Sequence, residues 1–186
     1  VMRYHNITKD DMNNGDGLRV VLWVAGCRHC CKECQNPITW DPDGGLLFDD
    51  EAKKELFDNL EKPYISGITF SGGDPLHIAN ELDVRELINE IKEKYPNKTI
   101  WLYTGDSWED IYESPTIKKV DVLVDGEFHI EERDVTLMWK GSKNQRVIDV
   151  QATLSSDNPS VPILHCGDHY GDSIDNVQRC QNAESR

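Results

Sequence analysis

Three cysteines in one short segment are the residues of this chain best suited to chemistry. Cys27, Cys31 and Cys34 have the spacing C-x3-C-x2-C and directly follow an apolar, β-branched run at residues 18–25. A structural zinc ion normally takes four protein ligands, whereas a cubane iron-sulfur cluster with three protein thiolates keeps one iron open to another molecule. The spacing therefore favours an iron-sulfur cluster whose open iron takes part in a reaction.

Two other interpretations of these cysteines remain open at this point. Cys30 lies beside the motif, and with it the four cysteines can be interpreted as two offset C-x2-C pairs on one zinc ion. Alternatively, the cysteines are ordinary buried thiols or form disulfides. The organisation of the rest of the chain helps to choose among the three.

Length and composition limit the classes of protein to which the chain can belong. Its 186 residues fit one domain with a hydrophobic core. The formal net charge of -14 opposes an extended phosphate-binding surface, so we expect no nucleic acid partner. The sequence has no apolar run of about 18 residues and no signal or transit segment, so we expect a cytoplasmic protein without a membrane partner. In that reducing compartment, clustered cysteines more often serve metal or redox chemistry than disulfides.

Strands and helices alternate along the chain and would position the cysteines. After the run at 18–25, further segments have the composition of strands: residues 65–71, 99–104, 120–125 and 146–150. Helical patterns lie between them, one with Asp49 as candidate N-cap, one that stops at Pro96, and a short one that carries Trp108. Strands that alternate with helices indicate right-handed βα units and a parallel sheet.

The predicted fold is α/β, an open partial (β/α) barrel with a parallel sheet of about five or six strands. A complete eight-unit barrel needs about 250 residues, so we do not expect closure, and a large partner or substrate would complete the open side. Residues 1–153 would form this domain, followed by a loosely structured C-terminal extension, residues 154–186. The extension contains His165, Cys166, His169 and Cys180, whose spacing matches no zinc pattern, and we expect them to be incidental.

Unusual loops follow four of the predicted strands. The cysteines follow the first strand, residues 71–75 the second, residues 103–105 the third, and residues 125–126 the fourth. Ligands bind at the carboxyl ends of strands in parallel βα architectures. These loops therefore point at one crevice, an arrangement that a zinc knuckle would not need.

The cysteine motif, together with Gly72-Gly73-Asp74-Pro75, resembles that of the radical S-adenosylmethionine enzymes. More specifically, the chain is similar to the activating proteins of anaerobic (class III) ribonucleoside-triphosphate reductase over roughly residues 3–153. The similarity includes residues 16–19, 34–40, 71–76, 101–105, 122–126 and 141–146. Many members of the superfamily have an aromatic residue just before the third cysteine, and the activating proteins often have glycine there. This chain has Glu33, and Cys30 is an additional thiol.

The resemblance implies a 4Fe-4S cluster held by Cys27, Cys31 and Cys34, and S-adenosyl-L-methionine as the second cofactor. The fourth iron would chelate the amino and carboxylate groups of S-adenosylmethionine, and its reductive cleavage would produce a 5′-deoxyadenosyl radical. No catalytic side chain is implied beyond the cluster and cofactor. The implied cofactor-binding residues are Glu33, Cys34, Gln35, Gly72, Gly73, Asp74, Thr104, Asp125 and Arg146.

Several of these residues have more than one interpretation. Asp74 would contact the methionine ammonium or cap the following turn. Thr104 and Asp125 would contact ribose or ammonium, or cap backbone groups at strand ends. Arg146 would contact the carboxylate or the partner, or simply lead into the last strand. His29, inside the cysteine segment, would tune the cluster through a hydrogen bond, although a solvent-facing histidine is the more favoured prediction.

The function implied by the resemblance is activation of the large glycyl radical subunit of an anaerobic ribonucleoside-triphosphate reductase, with an external electron donor. The enzyme would abstract a hydrogen from one glycine of that partner. Alternatives are another radical S-adenosylmethionine enzyme, such as a pyruvate formate-lyase activator or a small-molecule synthase, and a zinc-stabilised binding module.

Overall fold

In the computed structural model, which describes residues 1–166, seven strands form one mixed sheet. The strands are β1 (Arg3–Asp11), β2 (Leu18–Val24), β3 (Leu46–Leu47), β4 (Ile65–Gly72), β5 (Thr99–Tyr103), β6 (Val122–Asp125) and β7 (Arg146–Asp149). Their order across the sheet is β3-β1-β2-β4-β5-β6-β7. The central strands β2, β4, β5 and β6 run parallel, whereas β1, β3 and β7 pair antiparallel with their neighbours.

The predicted α/β class is confirmed, but the prediction of about five or six parallel strands is wrong in strand number and direction. The sequence pattern misses β1 because the strand is largely polar and buries only Tyr4 and Ile7. β7 is antiparallel to β6 because residues 126–145, which connect them, include no α-helix that could return the chain to the opposite end of the sheet. The sheet does not confirm a barrel, and the partial barrel stays a prediction.

Of the two longer helices, the first begins and the second ends where the sequence predicts. The helices are α1 (Asp50–Leu60), α2 (Glu81–Lys94), α3 (Trp108–Ile111) and α4 (Val150–Leu154). The Asp49 carboxylate caps α1 by accepting a hydrogen bond from the Ala52 N–H at 2.9 Å, and α2 ends before Pro96. None of the helices in residues 1–166 has the length and apolar character needed to cross a membrane.

The two faces of the sheet are covered differently. On one face, α1 and α2 pack with strand side chains such as Leu22 and Phe70 to form the main core. The other face carries a smaller buried cluster: Trp101, Val122, Val124 and Val147. Trp139, from the connection between β6 and β7, packs edge-on against Trp101 with ring centroids 5.0 Å apart. This connection therefore covers part of the face that the long helices leave free.

The first residues of the predicted C-terminal extension pack against the domain. The His165 N–H donates to the Val147 carbonyl at 2.8 Å, and the Asp149 N–H donates to the Ile163 carbonyl at 2.9 Å, beside β7. The Trp108 indole N–H also donates to the Pro159 carbonyl at 2.8 Å. Residues 167–186, which include His169 and Cys180, lie outside the described residues, and the division at residue 153 stays a prediction.

Candidate active site

The cysteine segment lies directly after β2, at the carboxyl end of the central strands. Gly26 turns the chain there with a φ of 104°. The N–H groups of Gly26 and Cys27 donate to the carbonyls of Thr39, at 2.7 Å, and Trp40, at 3.1 Å. These bonds tie the start of the segment to the residues after its last cysteine, so residues 27–34 form a compact loop, called here the cysteine loop.

The three motif cysteines line one cavity of about 460 Å³. The same cavity is lined by several of the predicted cofactor-binding residues: Gln35, Gly72, Gly73, Asp74 and Thr104. Gly126 lines the cavity as well, so the loops that follow β2, β4, β5 and β6 meet, as expected at the carboxyl ends of parallel strands. The arrangement places soft sulfur ligands beside a space large enough for a small molecule.

Burial raises the pKa of two of the motif thiols. Desolvation is the largest cause at both, and it raises the pKa of Cys27 to about 11 and also raises the pKa of Cys31. These thiols are protonated near neutral pH, so a metal that bound them would displace their protons. The Cys34 Sγ accepts a hydrogen bond from the Asn36 N–H at 3.4 Å.

Cys30 has a different environment from the three motif cysteines. Its side chain is exposed, it does not line the cavity, and its backbone has a left-handed φ of 49°. A four-cysteine zinc site would need Cys30 to turn inward, so the geometry disfavours that interpretation. The four thiols of the cysteine loop are all free, which also disfavours disulfides within it.

Gly72 and Gly73 allow the loop after β4 to approach the cysteine loop closely. A Cβ at Gly73 would lie 2.4 Å from the Gly26 carbonyl oxygen and 2.9 Å from that of Thr39. Gly72 has a φ of 105°, and a Cβ there would lie 2.6 Å from the Val24 nitrogen. Because these neighbours are backbone atoms, they cannot swing aside as a flexible side chain could. Packing within the protein therefore requires glycine at both positions.

Asp74 is a buried carboxylate that joins the loops of the site. It accepts a hydrogen bond from the Leu76 N–H at 2.8 Å, which confirms the predicted cap of the following turn. It also accepts from the Thr104 hydroxyl at 3.0 Å and from the Gly105 N–H at 3.2 Å. Burial raises its pKa, but hydrogen bonds from His29, Leu76 and Gly105 outweigh burial, so the pKa lies below its usual value. Asp74 is thus an anion aligned by several donors.

The structure overturns the prediction that His29 faces solvent. Its side chain is 8% exposed, Nε2 lies 2.7 Å from Asp74 Oδ2, and Nδ1 lies 2.9 Å from Glu127 Oε1. The hydrogen bond with Asp74 is the largest cause that raises the pKa of His29 to about 9, while burial opposes it and Glu127 adds to it. Local sequence carries no indication of these contacts, because the partners lie 45 and 98 positions away.

Three of the predicted cofactor-binding residues do not line the cavity of the cysteines: Asp125, Arg146 and Glu33. The Arg146 guanidinium donates to Asp125 at 2.6 Å and to Glu109 at 2.8 Å. Asp125 also accepts from the Trp108 N–H at 2.8 Å, so it caps the start of α3. Asp125 and Arg146 line a neighbouring cavity of about 440 Å³, and Glu33 is exposed with a φ of 53°. The cofactor contacts predicted for these residues stay predictions.

Comparison with known proteins identifies the domain that contains the cysteine loop. The family model of a 4Fe-4S single cluster domain matches residues 13–148. This match spans β2 to β6, with the cysteine loop between β2 and β3. It supports an iron-sulfur cluster rather than zinc.

Curated relatives resemble the chain over most of its length. An anaerobic ribonucleoside-triphosphate reductase-activating protein of Enterobacteria phage T4 is 42% identical over 146 residues, which are 78% of this chain and 93% of the relative. Proteins of the same name are 37% identical in Haemophilus influenzae, over 148 residues (77% and 96%), and 37% identical in Escherichia coli K12, over 150 residues (78% and 97%).

Proposed function

Since this chain belongs to the family of anaerobic ribonucleoside-triphosphate reductase-activating proteins, we propose that it activates such a reductase by generating a glycyl radical on the large subunit. The chain contains a 4Fe-4S single cluster domain. The observation that carries the proposal is the convergence of Cys27, Cys31 and Cys34 on one cavity with Gly73 and Asp74. Soft thiols suit iron, and an aligned carboxylate suits an ammonium group, so these residues fit the implied cofactors.

In this proposal Cys27, Cys31 and Cys34 hold the cluster, and S-adenosyl-L-methionine binds beside it in the cavity. When bound and reduced, the cluster would supply one electron for the cleavage of S-adenosylmethionine to methionine and a 5′-deoxyadenosyl radical, and this radical would take a hydrogen atom from a glycine Cα to give 5′-deoxyadenosine and a glycyl radical. An external donor provides the electron. The reducing cytoplasm suits both the thiols and this donor.

In this proposal, the chain's own residues bind and orient S-adenosylmethionine. Asp74 is ionised and would accept the methionine ammonium, while Thr104 and Gly105 hold its carboxylate in place. The Gln35 amide lines the same cavity and would offer a further hydrogen bond. Because a hydrogen atom rather than a proton moves, the reaction needs no side chain that acts as acid or base. We therefore assign no catalytic side chain.

A glycine within a polypeptide suits the position of the cavity. Tyr103 lines the cavity and packs with the apolar cluster on the face away from α1 and α2, so the cavity opens on the less covered side of the sheet. Glycine lacks a side chain, and its Cα can therefore enter a narrow site. The partner would thus contribute the segment that completes the site.

The test begins with anaerobic reconstitution of the wild-type chain with iron and sulfide. We expect about four irons per chain, release of 5′-deoxyadenosine after reduction, and a glycyl doublet when the reductase is added. The splitting should collapse when the reductase contains α-deuterated glycine. Cys27→Ala, Cys31→Ala and Cys34→Ala should each abolish cleavage, whereas Cys30→Ala is the matched control and should retain most of it because Cys30 does not line the cavity.

The alternatives predict different outcomes of the same experiment. If 5′-deoxyadenosine forms but no radical appears on the reductase, the chain acts on another substrate, as a small-molecule synthase or an activator of another glycyl radical enzyme would. A colourless, zinc-containing protein without cleavage activity would be a binding module. Full activity of Cys31→Ala would contradict the ligand assignment.

A further inference from the structure

The His29 ring connects three loops of the site. It belongs to the cysteine loop, midway between Cys27 and Cys31, and contacts Asp74 after β4 at 2.7 Å and Glu127 after β6 at 2.9 Å. The two contacts use opposite ring nitrogens, so the imidazole spans the gap between two carboxylates. The cysteine loop is thereby attached to both sides of the cavity.

The residues around the His29 imidazole leave space for the ring and need it as a partner. A Cβ at Gly105 would lie 2.4 Å from the His29 Cδ2, so the glycine leaves room for the imidazole against the loop after β5. Asp74 is buried, and a buried carboxylate needs a partner that compensates for lost hydration. His29 provides that partner, and its own burial follows from the same contact.

Two other ion pairs attach the cysteine loop, but both are more exposed. The Arg28 guanidinium contacts Asp106 at 2.6 Å with its side chain half exposed, and the Lys32 ammonium lies 4.0 Å from Glu131 with both groups largely exposed. Exposed pairs contribute little, because water screens them and ordering long side chains costs entropy. His29 is thus the buried attachment of the loop.

We propose that His29 is a positioning residue that fixes the cysteine loop against the loops after β4 and β6 and thereby sets the location of the cysteine thiols in the cavity. The proposal rests on the proposed function for the assignment of the cysteines as cluster ligands, but the contacts of His29 involve only this chain. Its effect is on the position and protection of Cys27, the half-buried first residue of the loop. His29 itself takes no part in the transfer of the hydrogen atom.

The test measures the rate at which iodoacetamide alkylates Cys27 in the metal-free wild-type chain and in variants of it. Mass spectrometry follows the alkylation. In His29→Gln we expect Cys27 to react on the order of tenfold faster, because the loop opens more often once its buried hydrogen bonds are lost. Lys32→Gln is the matched control, because it removes a cation from the same loop without breaking a buried contact. Loss of positive charge alone disfavours thiolate and slows alkylation, so acceleration separates positioning from charge.

A second variant moves the ring without removing it. Gly105→Ala places a Cβ against the imidazole and should also accelerate alkylation of Cys27, although His29 and its charge remain. Urea unfolding establishes that each variant is folded. If His29→Gln or Gly105→Ala does not fold, Glu127→Ala replaces it, since this side chain is half exposed and supplies one of the two ring contacts.

Iron loss to a chelator from the reconstituted variants should follow the same order as alkylation. Equal rates in His29→Gln, Gly105→Ala and Lys32→Gln would overturn the positioning role. The alkylation measurement needs no cluster, cofactor or reductase. A wild-type chain that forms no glycyl radical would therefore contradict the proposed function while the positioning role is still decided by the variants.

Discussion

At the scale of single residues, backbone conformation restricts the cysteine loop as much as the thiol spacing does. Cys30 and Glu33 both have left-handed backbones, with φ of 49° and 53°. Residues other than glycine pay roughly 1 kcal/mol for this conformation. The activating proteins often have glycine where this chain has Glu33, and the left-handed turn gives a physical reason for that preference.

The first prediction concerns this strained position. Glu33→Gly should raise the free energy of unfolding of the metal-free chain by about 0.5 kcal/mol, because relief of backbone strain exceeds the added entropy of the unfolded chain. Urea unfolding measures the change. Lys32→Gly, whose backbone φ is not left-handed, is the control and should be destabilising. Equal destabilisation by both substitutions would mean that the Glu33 side chain makes a stabilising contact.

At the scale of secondary structure elements, the central strands are joined near their amino ends by Arg19 of β2. The side chain is fully buried, donates to the carbonyls of Ile68 and Thr99 at 2.8 Å each, and donates to the hydroxyls of Thr69 at 2.9 Å and Thr99 at 2.8 Å. Burial, the largest cause, lowers its pKa to about 10, so it remains charged at neutral pH. One side chain therefore ties β2 to β4 and β5, whose opposite ends carry the site.

The second prediction follows from these bonds. Arg19→Met should lower the free energy of unfolding by about 2–4 kcal/mol, because several buried acceptors lose their donor while the methionine fills much of the space. Arg19→Lys should also be destabilising, since an ammonium cannot reproduce the planar fork. Urea unfolding gives both values, with Arg85→Met, at a partly exposed position of α2, as the control. A change below about 1 kcal/mol for Arg19→Met would show that water replaces the guanidinium without cost.

At the scale of the whole molecule, the connection between β6 and β7 contributes a large part of the cavity wall. Its lining residues include Glu127, Val135, Trp139 and Gln145. Trp139 anchors the connection, since its carbonyl accepts a hydrogen bond from the Tyr103 hydroxyl at 2.6 Å. Two apolar side chains of the same connection are exposed: Val135 at 81% and Met138 at 57%. Exposed apolar groups beside an open cavity suit contact with a protein partner.

The third prediction tests that contact. Met138→Ser, at the exposed residue that does not line the cavity, should slow glycyl radical formation on the reductase about tenfold, because apolar contact area with the partner is lost. Release of 5′-deoxyadenosine in the absence of reductase should not change. Leu82→Ser is the matched control, an equally exposed apolar residue of α2 that does not line the cavity. A similar effect of Leu82→Ser would place the partner elsewhere.

Local sequence patterns determined the fold class of this protein and much of its site. The spacing of Cys27, Cys31 and Cys34, the loop glycines and the βα alternation are local patterns, and they were sufficient to predict the α/β class and the meeting of four loops at one cavity. The start of α1 and the end of α2 were also predictable, because Asp49 and Pro96 act on their immediate neighbours.

Tertiary structure decided the features that depend on distant partners. Asp125 ends β6 and Arg146 begins β7 as expected, yet Arg146 binds Asp125 and Glu109 beside a second cavity. The direction of β7 depends on how its connection crosses the sheet, and the burial of His29 depends on carboxylates from two other loops. Sequence spacing determined which residues could bind a metal, whereas packing over long separations determined which polar residues face the cysteines, because charges and hydrogen bonds are satisfied by whatever the fold brings near.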